Sequence, residues 1–298
     1  MPHDQAVVAI QTADQHRFEL IHIPAADKAR QSLLFLPGMG LSARQYIAFG
    51  QALAAVGVET LIHEWRGLGS SSLRAGRPEN WGYRELLEHD LDPALDAARG
   101  LAAGRPLIIG GHSLGSQLAL LAAARRPDDC QGLLIVAGGA PYWRCFHGWM
   151  RATLRAIFFG MPVAATVVGH YPGRRLGFAG REARGVINDW AASGRSGVYR
   201  PSGMDFDFEA ALGRLDQPLL SVRMTDDWFV PQASLDWLSG KLGSTVKQQV
   251  DIDRTAMDGP ADHYRWMQQP ASTARAIAHW AAHRLQPAGS SSAATSRA

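Results

Sequence analysis

Three kinds of residue in this 298-residue chain could together carry acyl transfer: a serine between glycines, a loop histidine and a pair of aspartates. Ser113 lies in Gly110-Gly111-His112-Ser113-Leu114-Gly115-Ser116, a G-x-S-x-G pattern that taken alone could be an ordinary glycine-rich turn. A nucleophilic serine of this kind needs a tight strand-to-helix turn, with small neighbours because the backbone there closely approaches adjoining elements. The flanks meet that demand. Residues 106–109 read as a short buried strand following the turn residues Gly104-Arg105-Pro106. After the serine, "SQLALLAAARRP" is rich in strong helix formers and stops at Pro127. The helix N-terminus behind Ser113 would favour negative charge developing beside it.

A serine nucleophile needs a base, and the base needs an orienting acid. The chain has eleven histidines, so topology must choose. His279 and His283 lie four apart on the last helix and read as a surface face. His112 lies inside the turn and should point away from the serine. His263, in "DGPADHYRW", falls between the last strand and the last helix, at the same sheet edge as Ser113, and is the expected base. The acid should leave another strand at that edge. "SVRMTDDWFVP" offers Asp226 and Asp227, whereas the turn after "GLLIVAGGA" holds no carboxylate. Asp227 stands four residues before Pro231, the expected start of the next helix, and is the expected acid. Both aspartates could instead be a solvated turn or helix cap. Ser113, Asp227, His263 is the nucleophile, acid, base order of sheets of this architecture.

Acyl transfer also needs donors for the oxyanion. "LFLPGMG" places Gly38-Met39-Gly40 after a buried strand, and the backbone N–H groups of Met39 and Leu114 are the expected pair. The chain has neither G-x-G-x-x-G nor a lysine-ending phosphate loop, which discounts phosphate binding here.

These residues are positioned by an alternating pattern. "AVVAIQ" and "FELIHIP" read as an antiparallel pair, and "SLLFLPG" as a buried strand leading to a helix over 42–55. "ETLIHEW" follows as a strand, then the mainly helical "YRELLEHDLDPALDAARGL", which Pro93 should kink or break. After the Ser113 helix come the strand "GLLIVAGG", then "QPLLSVRM", a helix over 231–242, "TVKQQVDI" and the helix "ASTARAIAHWAAHRL". Such alternation implies βαβ units and a mainly parallel sheet. It stops over 141–211, which shows helical patches, aromatics and glycine breaks but no clear strand. The expected organisation is therefore a core of 1–140 and 212–286, a helical cap over 141–211, and a disordered tail over 287–298. The cap should lie over the C-terminal edge of the sheet, where open α/β sheets bind ligands. Tyr142, Trp143, Phe158, Phe159 and Trp228 are candidate pocket residues.

Composition narrows the class. Hydrophobic residues make up 46% and charged residues 19%, as in globular proteins. The net charge of +3 comes from scattered arginines, with lysine only at 28, 241 and 247, so nucleic-acid binding is not suggested. Two cysteines make no disulfide framework, and no Cys/His spacing resembles a metal site. The first residues lack the basic and apolar regions of a signal peptide, and "AIFFGMPVAATVV" is broken by Gly160 and Pro162 and too short to span a bilayer. The expectation is a cytoplasmic protein with no membrane insertion, no metal and no cofactor, acting on a small acyl substrate.

The segments "LPGMG", "EWRGLGSSS", "GGHSLGS", "TDDWFVP" and "ADHYRWM" together resemble the α/β-hydrolase superfamily. The chain is especially similar to a group of predicted bacterial serine hydrolases with a helical cap, whose insertion carries motifs like Tyr142-Trp143-Arg144 and Tyr171-Pro172-Gly173-Arg174-Arg175 here. The resemblance implies an α/β-hydrolase fold, a Ser113–Asp227–His263 triad, and the Met39 and Leu114 oxyanion hole. Pro37 stands where many members have histidine, Glu64 where they have aspartate, and Asp262 where glycine usually precedes the catalytic histidine. An acid beside the base could raise its pKa or misplace it. The implied reaction is hydrolysis of an ester or thioester through an acyl-enzyme. Hydrolysis of an activated carbon–carbon bond, or ligand binding without catalysis, are the alternatives. A serine at the turn argues against dehalogenase or epoxide-hydrolase chemistry, which in related families uses aspartate there.

Overall fold

The computed structural model describes residues 5–25 and 29–285, so the expected tail over 287–298 lies outside the described residues. Strands β1 (Ala6–Gln11) and β2 (Arg17–Ile23) form the antiparallel pair expected from the sequence. β3 (Gln31–Leu36), a short 3-10 turn, α1 (Ile47–Ala54) and β4 (Val58–Ile62) come next. After α2 (Tyr83–Glu85) and α3 (Asp92–Ala102) come β5 (Leu107–His112), α4 (Leu114–Arg125) and β6 (Gly132–Val136). β9 (Leu219–Met224) and β10 (Lys247–Ile252) complete an eight-stranded sheet in the order β1-β2-β4-β3-β5-β6-β9-β10. Every pairing from β4 to β10 is parallel, and only β1 and β2 run against their neighbours.

The central strands are buried on both faces, which is why they read as continuous apolar runs. Their side chains alternate between two core clusters. Leu34, Leu36 and Ile109 pack towards α3 and α4, while Leu33, Phe35 and Ile108 pack with Phe49, Trp266 and Trp280 on the other face. The second face is closed by α1 and by the terminal helix α11 (Ala271–Arg284).

The long helical stretch expected to kink or break at Pro93 changes its winding just before that residue. Residues Leu86–Leu91 form a turn of π-helix, and Pro93 then falls in the first turn of α3. The wide turn aims Asp90 inward, where Arg66 grips it through Nε at 3.0 Å and Nη2 at 2.6 Å.

Between β6 and β9 the chain leaves the sheet. It forms α5 (Gly148–Val168), a two-stranded hairpin of β7 (Tyr171–Pro172) and β8 (Arg181–Glu182) joined through α6 (Gly173–Leu176), then α7 (Arg184–Ser196) and α8 (Phe208–Leu212). The hairpin corrects the expectation of no strand, since strands of two residues are too short to show periodicity.

α5 also corrects the reading of a stretch broken at Gly160 and Pro162, for it runs unbroken through both. Pro162 has no N–H for the Phe158 carbonyl one turn back. Arg195 of α7 supplies the missing donor through Nη1 at 2.5 Å. The remaining helices, α9 (Gln232–Gly240) and α10 (Arg254–Met257), flank the last two sheet strands.

Candidate active site

Ser113 occupies the junction of β5 and α4 with φ 53° and ψ −119°, a left-handed conformation that L residues adopt at a cost of about 1–3 kcal/mol. Its glycine neighbours make the turn possible. A Cβ on Gly111 would come within 2.5 Å of the Gly115 carbonyl carbon, and one on Gly115 within 2.0 Å of the Leu36 carbonyl oxygen. The turn is wedged against the end of β3, and only glycine fits on either side. The twelve-residue α4 then points its positive end at Ser113.

β3, β5, β6, β9 and β10 all end at one edge, and the loops leaving them carry the remaining candidates. Asp227 follows β9 and His263 follows β10. His263 Nδ1 donates to Asp227 Oδ2 at 2.7 Å, with both side chains nearly inaccessible. That bond leaves Nε2 as the free acceptor of the ring. The other Asp227 oxygen accepts the amides of Phe229 at 2.9 Å and Val230 at 3.2 Å, so the carboxylate is fixed on both sides. Asp226 turns elsewhere. It accepts the Ala261 amide at 3.0 Å and pairs with Arg254.

Asp262, beside the histidine, accepts the Tyr264 and Arg265 amides at 2.9 and 2.8 Å. It closes the turn around Tyr264 and Arg265 and so spends its charge on backbone donors.

His112 is fully buried beneath His263, their ring centroids 4.5 Å apart. Tyr46 Oη takes the Gly38 amide at 2.9 Å and donates to His112 Nδ1 at 2.7 Å. Burial, reinforced by the neighbouring His263, pushes His112 well below the ordinary histidine pKa and keeps it neutral. A neutral ring can support His263 from below without repelling its cation.

Met39, Ser113, Leu114 and His263 all line a cavity of about 370 Å³. Neither the Met39 nor the Leu114 amide donates to another group among the described residues, leaving two backbone donors beside the serine. Ser113 and His263 share this cavity without a hydrogen bond between them. Such contacts commonly tighten only once substrate is bound.

The β7–β8 hairpin roofs the same loop. A Cβ on Gly40, whose φ is +75°, would lie 2.2 Å from the Gly180 nitrogen. Glycine at position 40 is what lets the hairpin close on the loop that carries Met39.

Residues 27–176 match the family model described as "Serine aminopeptidase, S33". The chain belongs to this family of α/β-hydrolases. No curated protein matches its sequence. Among solved structures it is similar to a soluble variant of monoglyceride lipase from Saccharomyces cerevisiae, at 14% identity and TM-score 0.68, covering 95% of this chain and 96% of that one. A haloalkane dehalogenase loop variant from Bradyrhizobium elkanii follows at 18% identity and TM-score 0.65, covering 94% and 97%. A thermophilic esterase from Thermogutta terrifontis is 18% identical with TM-score 0.62, covering 94% and 100%. At these identities the likeness is one of fold.

In this α/β-hydrolase, Phe158 and Trp228 line the cavity, and Tyr142, Trp143 and Phe159 do not. Successive helix residues point about 100° apart, so Phe158 packs inward on Trp190 while Phe159 is 63% exposed. Tyr142 packs on Trp237, and Trp143 Nε1 donates to the Arg195 carbonyl at 3.1 Å. Tyr142 thus ties the insertion to α9, and Trp143 ties its start to α7 within the insertion. The cavity is instead walled by Leu154 and Ile157 of α5, by Phe178 of the hairpin and by Phe229, whose ring lies 5.1 Å from that of His263. Phe229 had a legible signal, since it lies two residues after the expected acid. Gln117, one helical turn beyond Ser113, also reaches the cavity.

A second Ser–His–Asp array lies elsewhere. His16 bridges Ser71 at 2.9 Å and Asp90 at 3.0 Å, all buried. None of the three lines the cavity, Asp90 is also forked by Arg66, and Ser71 Oγ accepts two backbone amides. This array ties the β1–β2 end of the sheet to the π-turn before α3.

Proposed function

We propose that the chain is a serine esterase that hydrolyses an apolar carboxylic ester or thioester through an acyl-enzyme. His263 Nε2 takes the Ser113 proton as Oγ forms a bond to the acyl carbon, and Asp227 holds the imidazole and balances its positive charge. The Met39 and Leu114 amides face the developing oxyanion. His263 returns the proton to the leaving alkoxide or thiolate as the acyl–heteroatom bond breaks. Water activated by the same ring then frees the acid and restores Ser113.

The observation that carries this reading is the buried 2.7 Å His263–Asp227 bond at the cavity that also holds the strained Ser113. The lining favours an uncharged apolar acyl group. It includes no aspartate, glutamate, lysine or arginine, so nothing there would pair with the free ammonium of an aminopeptidase substrate. Serine at the turn again separates it from aspartate-dependent dehalogenase chemistry.

The test is labelling with a fluorophosphonate, followed by peptide mapping. A single adduct on Ser113, lost in His263→Ala, is expected. An unlabelled wild-type protein would indicate a ligand binder with an inactive triad.

A further inference from the structure

We infer that the outer face of α5 is a docking site for an anionic lipid surface, lying in the plane of the membrane rather than across it. α5 has 21 residues and is apolar enough to cross a bilayer, yet only 17% of its most apolar window is buried, unlike a core helix. Its inner side is committed to the protein: Phe158, Met161 and Ala165 are buried, with Phe158 against Trp190 of α7. Its outer side is not. Trp149, Ala152, Ala156, Phe159, Val163 and Val167 are all exposed. At 3.6 residues per turn they share an arc about 80° wide and a strip about 27 Å long, with no charged residue of α5 inside it. Trp149 is 73% exposed, and Phe159, Val163 and Val167 between 63% and 66%. Monomeric proteins seldom leave such a contiguous strip to water without a partner.

Charge selects the partner. Residues 141–181 contain six arginines, all exposed, and no aspartate or glutamate. Arg144, Arg151 and Arg155 flank the strip, their guanidinium groups 5.3, 4.7 and 4.9 Å from the Trp143 ring. An apolar helix face edged by arginines and aromatic rings matches an anionic headgroup layer over acyl chains. A second copy of this chain docked symmetrically on the same face would set arginines against arginines.

The position of the strip gives the docking a purpose beyond the esterase reading. Met150, Leu154 and Ile157, on the inner side of the same helix, line the cavity that holds Ser113, and Trp149 belongs to both faces. An acyl chain leaving the lipid layer would round one helix to reach the serine.

The experiment measures binding, so it stands or falls independently of ester hydrolysis. Full-length protein is sedimented with sucrose-loaded vesicles of phosphatidylcholine with or without about one-third phosphatidylglycerol, at low and high salt. Binding to the anionic vesicles, weakened by salt and by omission of phosphatidylglycerol, is expected. The double variant Val163→Glu/Val167→Glu should lose roughly tenfold or more in partitioning. Its Tm and its hydrolysis of a soluble p-nitrophenyl ester should not change, since neither side chain lines the cavity. No binding to anionic vesicles at low salt overturns the proposal. So does unchanged partitioning of the double variant. A concentration-dependent dimer that the double variant dissolves, without vesicle binding, would assign the strip to self-association instead.

Discussion

Asp227 serves His263 and its own loop at once: Oδ2 accepts from the imidazole at 2.7 Å while Oδ1 holds the Phe229 and Val230 amides. Rotation of the carboxylate would break three hydrogen bonds together, which fixes the plane of the histidine ring. Asp226, one residue earlier, holds Arg254 and the Ala261 amide and never reaches the ring. Asp227→Asn is therefore expected to lower kcat by about 10⁴-fold, because an amide donor opposite Nδ1 imposes the wrong tautomer. Asp226→Asn should keep kcat within a few-fold and lower Tm. Steady-state rates on a p-nitrophenyl ester decide between them, and the reverse ranking would contradict this assignment.

Arg195 is expected to hold α5 together at Pro162. It donates to the Phe158 carbonyl that the proline leaves without an amide, and its guanidinium lies 5.3 Å from the Phe159 ring. Arg195→Met keeps the length of the side chain and removes the donor. It should cost about 1–3 kcal/mol, the range for a buried acceptor left unpaired. Hydrogen exchange should quicken along α5 before the sheet strands are affected. Unchanged protection across Phe158–Pro162 would show that the helix needs no such brace.

Selectivity should follow the cavity. An apolar wall stabilises an acyl chain by roughly 0.8 kcal/mol per methylene, or about fourfold in kcat/KM for each carbon until the space is filled. The ratio is measured across p-nitrophenyl esters and matched acyl thioesters of increasing length. Phe178→Ala, which opens the hairpin side of the wall, should move the optimum to longer chains. A flat profile would mean that the cap contributes no acyl pocket.

Buried histidines should shape acid stability. Burial pushes His63 down to about 3, against the opposing pull of Asp90 and with a small push from His16. Below its ordinary value of 6.5 the unfolded chain binds a proton that the native state refuses. Stability should therefore fall as pH drops from 6.5 towards 3, and this site should contribute no slope above that window. His63→Phe, in a pocket already faced by Phe18 and Trp65, should reduce the slope by about 1.4 kcal/mol per pH unit. Urea denaturation across that range measures it, and an identical slope in both proteins would contradict the cause given.

Much of the fold was legible because its signals are local. Strands buried on both faces read as apolar runs, and a strand, two close-packed glycines and a helix mark Ser113 within a few residues. Asp227 and His263, expected as acid and base from the order of strands along one sheet edge, are brought together by the fold. What was not legible depends on direction or on distant partners. Phe158 and Phe159 look alike in sequence, and only the rotation of α5 sends one inward and the other to solvent. Pro162 reads as a helix breaker until Arg195 arrives from another helix. The His16–Ser71–Asp90 array is assembled from two loops and the π-turn before α3 and carries no motif, and its burial away from the cavity separates it from the candidate site.

Ser113 is expected to be the nucleophile for ester hydrolysis. The most direct measurement is kcat for Ser113→Ala on the best p-nitrophenyl ester, with circular dichroism and Tm showing the fold retained. A loss on the order of a millionfold is expected, as for removal of a serine nucleophile from a working triad. A purified, folded variant that kept even about a tenth of the wild-type rate would contradict it, since such a residue could not form the acyl-enzyme.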